Sequence, residues 1–180
     1  LIDPFNGGSD LRRKTIRCVG DPNLRFGEDG LRLLRAIRLR AETGWKIERA
    51  TFAALSAQSR LLNKVSRERV REEFTRIMSG ASVGLALRDM VSTGLLNRVI
   101  PEFAESIGLD QRTRHHTKKL DDHVIEAVTW APARLVVRLA ALLHDIAKPR
   151  TFTVDEDGQG HFYGHNRVGA EMTAEILRRL

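Results

Sequence analysis

Apolar and charged positions alternate along residues 25–38 with the period of a helix. Leu31, Leu33, Leu34 and Ile37 fall on one side, and Asp29, Arg32, Arg35 and Arg38 recur every third residue on another. At about 100° per residue this is an amphipathic helix with a gently drifting polar stripe. The spacing predicts that it starts near residue 27 and is closed by Gly44. Further helices are predicted from Glu48 to Gln58, from an N-capping Ser66 with Val70, Phe74 and Ile77 on one face to Gly80, and from Ser82 to Thr93-Gly94. A short one begins at Pro101, Leu139–Leu143 reads as a buried apolar helix, and Met172, Ala174, Ile176 and Leu177 mark the apolar face of the last. Residues 1–20 read differently. Phe5-Asn6-Gly7-Gly8 suits a turn and Thr15–Val19 a strand ended by Gly20-Asp21-Pro22, which predicts a short hairpin or strand pair. The chain is therefore expected to be mainly α with a short N-terminal β element. The apolar pattern breaks near 105–116, at Gly108, Asp110 and the polar run Gln111-Arg112-Thr113-Arg114, and Asp155-Glu156-Asp157-Gly158 reads as a polar turn.

Charge sharpens this picture. Residues 1–80 hold 17 Lys and Arg against 10 Asp and Glu, while residues 81–180 hold 13 against 13, so the whole net charge of +7 lies with the striped helix. A basic segment of this kind suits a polyphosphate or a nucleic-acid backbone. Aromatics make up only 6% of the chain, which argues against base-stacking platforms. One cysteine, Cys18, excludes a disulfide framework, and no apolar run has the length of a membrane span. Walker, dinucleotide-glycine, zinc-knuckle and Ser-His-Asp patterns are absent.

The stripe has a chemical use. Asp accepts hydrogen bonds and Arg donates them in a planar fork. Side by side they match a base edge that offers an amino group next to a ring nitrogen, as cytosine and adenine do, and mismatch the reversed order of uracil and guanine. The competing reading is a solvated helix face whose arginines pair with acids such as Glu28.

The motifs Ile2-Asp3-Pro4-Phe5-Asn6-Gly7-Gly8, Ile16–Pro22, Arg25-Phe26, Glu28-Asp29-x-Leu31-Arg32 and Leu34-Arg35-Ala36, followed by Ser66–Val70, Glu73, Gly94-Leu95-Leu96 and Ile100-Pro101-Glu102, resemble the bacterial tRNA nucleotidyltransferase and poly(A) polymerase family. The resemblance implies that the Glu-Asp-x-x-Arg element selects the incoming nucleotide through Asp29 and Arg32, with Arg35 and Arg38 as phosphate or sugar contacts. It implies tRNA, ATP and CTP as partners and Mg2+ held by an Asp-x-Asp pair in a palm; the cytoplasmic setting is the expectation from composition, the single cysteine and the lack of a membrane-length apolar run. No such pair follows a Gly-rich turn here, so the chain is expected to be a fragment that starts at the end of the palm and does not itself transfer nucleotides.

The second half carries another constellation. His123 follows Asp121-Asp122, His144-Asp145 ends the apolar helix, Lys148 lies three residues on, and His165 follows Gly164. An imidazole and a carboxylate at the end of a buried helix need a partner, and a metal ion is one such partner. Residues 115–180 resemble an HD-type phosphohydrolase domain, which implies His123, His144 and Asp145 as ligands, His165 as an additional one, and Lys148 as a phosphate contact. The ion would be a divalent transition metal such as Ni, Mn or Zn. Two departures are visible: Ala147 stands where Gly is usual, and the closing Asp of the pattern would lie beyond Leu180. His115 and His116 are read as exposed residues, with an extra-ligand or RNA-contact role as the alternative. The resulting partition is 1–26 as the end of a palm, 27–108 as a helical nucleotide-recognition neck and 109–180 as a helical HD-type domain. Three other functions remain open at this point: a poly(A) polymerase, an HD phosphohydrolase acting alone, and a non-catalytic RNA-binding module.

Overall fold

The computed structural model describes residues 2–113 and 118–180, so His115 and His116 lie outside the described residues. The chain is mainly α-helical and divides into two compact units, Leu1–Val99 and Ile100–Leu180.

In the first unit, α1 (Gly7–Arg12) and β1 (Thr15–Ile16) precede α2 (Pro22–Glu28) and α3 (Leu31–Thr43). Among the described residues there is no N-terminal hairpin. The Asp3 carboxylate accepts from Gly7 N at 2.7 Å and Gly8 N at 2.8 Å, meeting the free N–H groups of a helix start, so the Gly-Gly pair opens α1. The strand partner of β1 is β2 (Lys46–Ile47), paired in parallel and supplied by a segment beyond α3. Helix α3 packs against α5 (Arg67–Ser79) and α6 (Val83–Ser92), and α4 (Arg49–Ala57) follows β2. The predicted apolar face of α3 is buried as expected: Leu31, Leu33, Leu34, Ile37 and Ala41 all join the core. Gly80 lets the end of α5 meet α3 at backbone distance, since a Cβ there would lie 2.7 Å from the Ala41 carbonyl. Arg40 fastens α3 to α6 through Asp89 at 2.9 Å. The short α7 (Leu96–Val99) closes the unit.

The striped segment is not one helix. Asp21 caps α2 by accepting from Asn23 N, and α2 stops at Glu28. Asp29 then adopts extended backbone (φ −151°, ψ 108°), and α3 begins at Leu31. The break has a packing cause: a Cβ on Gly30 would lie 2.7 Å from the Leu61 carbonyl oxygen, so this backbone is pressed against the 3-10 turn Ser59–Lys64. Periodicity alone does not register such an approach.

The second unit begins with the 3-10 turn Pro101–Ser106, followed by α8 (Leu120–Trp130) and α9 (Leu135–Leu143). A 3-10 turn (Lys148–Thr151), the antiparallel pair β3 (Phe152–Val154) and β4 (Gly160–Phe162), and α10 (His165–Arg179) complete it. Asp155–Gly158 is the turn of that hairpin, whose strands are too short to show in the pattern. Residues 101–106 belong to this unit because Glu102 forms two hydrogen bonds of 2.7 Å with Arg179, and Glu105 meets Arg150 at 2.8 Å. The division therefore falls before the polar run at 105–116. Among the described residues no helix is long and apolar enough to cross a membrane.

Candidate functional sites

In the first unit Asp29 sits in the break ahead of α3 with both oxygens engaged. Oδ1 accepts from Leu31 N at 3.0 Å, and Oδ2 accepts from Arg69 Nη2 of α5 at 2.9 Å. Partial burial pushes its carboxyl up, but the Leu31 N–H and the Arg69 guanidinium outweigh this and hold it below the ordinary value. Arg32, the second residue of α3, donates through Nη1 to the Arg25 carbonyl at 2.9 Å and to Glu28. With Cys18, Val19 and Arg25 it lines an open cavity of about 310 Å³. Asp29 and Arg32 thus stand on either side of a helix start rather than along one helix face, each held by its own partners. The Arg32–Glu28 pair of the competing reading is present as well.

Arg35 and Arg38 converge on one acid. Glu73 of α5 is 7% exposed, and its carboxylate lies 3.5 Å from Arg35 Nε and 3.4 Å from Arg38 Nη1. Arg38 also faces Glu42 at 3.5 Å and is mostly covered, whereas half of the Arg35 side chain remains exposed. Sequence reasoning gave Glu73 and Arg69 no role. Their signal was available: two charged residues at four-residue spacing on the side of α5 that packs on α3.

In the second unit α8 carries His123, and His144 and Asp145 follow α9. Ligand atoms of these three residues lie within 4.8 Å of one another. Asp145 is 5% exposed, and its Oδ2 is 3.0 Å from His144 Nε2, 3.7 Å from His123 Nε2 and 2.8 Å from Lys148 Nζ. Burial pushes the Asp145 carboxyl up, yet His144 and Lys148 outweigh it and drive it well below the carboxylate range. The same contact with Asp145 raises His144, against its own burial. His144 Nδ1 lies 2.8 Å from the Ala141 carbonyl, which can only accept, so in the neutral ring Nδ1 carries the proton and Nε2 the lone pair. These residues fit a divalent cation. Two donors about 2.1 Å from one ion at right angles stand about 3 Å apart, as the two nearer atoms here do.

His165, at the start of α10, is not part of that group. Its Nδ1 meets the Phe162 carbonyl at 2.7 Å, and it lines an open cleft of about 370 Å³ together with Asp145, Lys148 and Thr113. Lys148 is 7% exposed and is held by Asp145 and by Gln111 Oε1 at 2.8 Å. Sequence reasoning overlooked Gln111 and Thr113, which were read as part of a polar connection.

Known families match part of each unit. The family model described as the probable RNA and SrmB-binding site of polymerase A matches residues 44–107, and the HD domain model matches residues 103–180. The chain is 38% identical, over its whole length and 43% of the relative's, to the A-adding tRNA nucleotidyltransferase of Deinococcus radiodurans. It is 39% identical to the CC-adding tRNA nucleotidyltransferase of Thermus thermophilus, over 93% of this chain and 41% of the relative. The fold resembles that of the Bacillus stearothermophilus CCA-adding enzyme, solved in complex with CTP, with a TM-score of 0.60 at 23% identity over 98% of this chain and 40% of that one. Over its whole length the chain is thus similar to bacterial tRNA nucleotidyltransferases, and it carries a match to the RNA-binding-site model of polymerase A followed by an HD domain. It spans about two fifths of the length of the curated relatives it matches.

Proposed function

We propose that this chain is the base-selecting neck and HD portion of a cytoplasmic tRNA nucleotidyltransferase that adds C and A, from CTP and ATP, to the tRNA 3′ end. The observation that carries the reading is that an acceptor, Asp29, and a planar donor, Arg32, flank the start of α3, each fixed by neighbours of its own. Arg69 and the Leu31 N–H fix the Asp29 carboxylate, while Arg25 and Glu28 fix the Arg32 guanidinium, so neither group must be ordered when a base arrives. Arg35, half exposed, and the more covered Arg38 are the phosphate or sugar contacts, both anchored by Glu73. The transfer step, with its Mg2+, belongs to the palm of the longer enzyme.

In the HD portion His123, His144 and Asp145 hold a divalent transition ion of the nickel, manganese or zinc kind, and His165 and Lys148 face the cleft beside it. The ion would supply activation of water toward a phosphate ester. The chain's own contribution is a fixed His144 tautomer and a carboxylate kept ionised by its neighbours.

The test is Asp29→Ala in the full-length enzyme with a tRNA primer and each of the four triphosphates. A site built to hydrogen-bond a polar edge rejects the wrong base because its own groups are left unpaired, an effect of up to about 10⁴-fold. The variant is expected to lose discrimination against UTP and GTP more than it loses triphosphate binding. An unchanged ratio of CTP to UTP incorporation defeats the readout role. Incorporation of A alone onto non-tRNA primers by the wild type assigns a poly(A) polymerase instead.

A further inference from the structure

One oxygen of the HD centre has several claimants. Asp145 Oδ2 lies 3.0 Å from His144 Nε2 and 3.7 Å from His123 Nε2, so it is the carboxylate atom that both imidazoles face. The Lys148 ammonium sits 2.8 Å from that same oxygen. A cation gathered by the two imidazoles and Asp145 therefore has to share its carboxylate oxygen with a positive charge already in place.

The lysine is retained there from three sides. Its Nζ donates to Gln111 Oε1 at 2.8 Å, the Phe162 ring stands 5.2 Å away as an attractive face for a cation, and the residue is 7% exposed. Gln111 is in turn held by packing. It is fully buried, Gly160 N of β4 donates to the neighbouring Arg112 carbonyl at 2.8 Å, and a Cβ on Gly160 would lie 2.1 Å from the Gln111 carbonyl oxygen. A divalent ion bonded to Oδ2 stands about 2.1 Å from it, which leaves the ion and the ammonium at most about 5 Å apart. Asp145 is 5% exposed, so water screens that repulsion poorly, and a double charge facing a single one at this range lowers affinity by a factor of about ten at the least. The sign of the lysine's effect is what matters. A lysine that merely orients Asp145 helps the ion, whereas one that competes for Oδ2 hinders it.

We propose that Lys148 is a built-in counter-cation of Asp145, kept in place by Gln111, that competes with the divalent ion for Oδ2 and sets how loosely the HD centre holds it. The proposal rests on the metal reading above. Lys148 and Gln111 bond to no ion themselves and act on affinity through Asp145.

The probe is manganese alone, titrated into the chain and followed both by calorimetry and by the paramagnetic resonance signal of the free ion, with Asp145→Asn as the baseline for binding elsewhere. Lys148→Gln removes the charge but keeps an N–H donor for Asp145, and it is expected to bind manganese at least about tenfold more tightly than wild type. Gln111→Glu leaves Lys148 in the chain, gives its ammonium a full counter-charge, and replaces Nε2, a buried donor that meets no acceptor among the described residues. It should also tighten binding, by a smaller factor. Gains of this kind do not arise from a damaged fold, and thermal melting curves show whether each variant is folded. Equal or weaker binding by folded Lys148→Gln overturns the competition while leaving the metal site of the wild type standing. If Lys148→Gln does not fold, Gln111→Glu decides: unchanged or weaker affinity overturns the proposal. Uptake by the two variants where wild type shows none supports it in its strongest form. No uptake above the Asp145→Asn baseline by any of the three removes the metal reading and the competition with it.

Discussion

Asp29 and Asp145 are both carboxylates held below their ordinary range, but by different means. Asp29 occupies a helix break, with one oxygen on a backbone N–H and the other on the half-exposed Arg69. Asp145 follows a buried helix, with a single oxygen shared by His144 and Lys148 and approached by His123. The first arrangement is a fixed acceptor at an accessible edge, matched with a fixed donor in Arg32. It suits reading a neutral polar ligand, whose recognition depends on the order of donors and acceptors. The second concentrates lone pairs and positive charge in a covered place and suits ions. Burial is what separates them, since the same carboxylate becomes costly to leave uncompensated once water is excluded.

The largest effect that would break this comparison is a clash in the second unit. Gly160→Ala places a methyl group 2.1 Å from the Gln111 carbonyl oxygen, so strand and segment must separate. Overpacking against backbone costs about 3 kcal/mol. A drop of that size in chemical-denaturation stability is expected. A variant as stable as wild type would show that β4 does not clamp residues 111–112.

Next comes the acid under the neck arginines. Glu73→Gln removes the charge that Arg35 and Arg38 share, with little change of shape. Because Arg35 is half exposed, water takes over part of the loss, and a destabilisation of about 1–2 kcal/mol is expected. In the longer enzyme the same variant should raise the KM for triphosphate more than it lowers kcat, since the arginines lose their anchor rather than their charge. The opposite split would give Glu73 a part in the reaction step.

Smaller still is the contribution of the ion pair that ties residues 101–106 to α10. Arg179 holds Glu102 below the ordinary carboxylate value of 4.5, against the effect of its partial burial. A depressed folded pKa adds stability that is fully present above the unfolded value and is lost as pH falls through the folded one. Wild type should therefore exceed Arg179→Ala by about 1 kcal/mol at neutral pH, with the gap closing below about pH 4. A gap that persists at pH 2 would assign the effect to packing of the Arg179 stem.

The sequence made these regions legible to different degrees, for physical reasons. The core of α3 was readable because Leu31, Leu33, Leu34 and Ile37 sit at helical spacing and burial follows spacing. The break at Asp29 was not, because it depends on Gly30 meeting Leu61, a contact between residues 31 positions apart. Residues 1–20 misled for a related reason. A Gly-Gly pair suits a turn, but Asp3 converts it into a helix start, and the partner of β1 arrives only at Lys46. His144-Asp145 was legible because adjacent polar residues at the end of an apolar run have few explanations. The meeting with His123 rests on α8 packing on α9, which no local pattern reports. Gln111 and Thr113 read as connection because a buried polar residue looks the same in sequence as an exposed one.

The smallest expected effect is the one that keeps the two sites apart. Asp29 and the His144 cluster belong to separate compact units and share no partner among the described residues. Effects at sites with no common partner add, with little coupling. His144→Ala in the full-length enzyme is therefore expected to leave nucleotide addition to tRNA within about twofold of wild type, while removing a ligand and the raised imidazole beside Asp145. Circular dichroism must show that the variant is folded, and its metal content must fall, so that the HD site is known to have been changed. Loss of CTP and ATP incorporation in a folded, metal-free variant would mean that the HD centre acts on the neck through an element both share. The contrast drawn between a base-reading site and an ion-holding site would then describe two parts of one device.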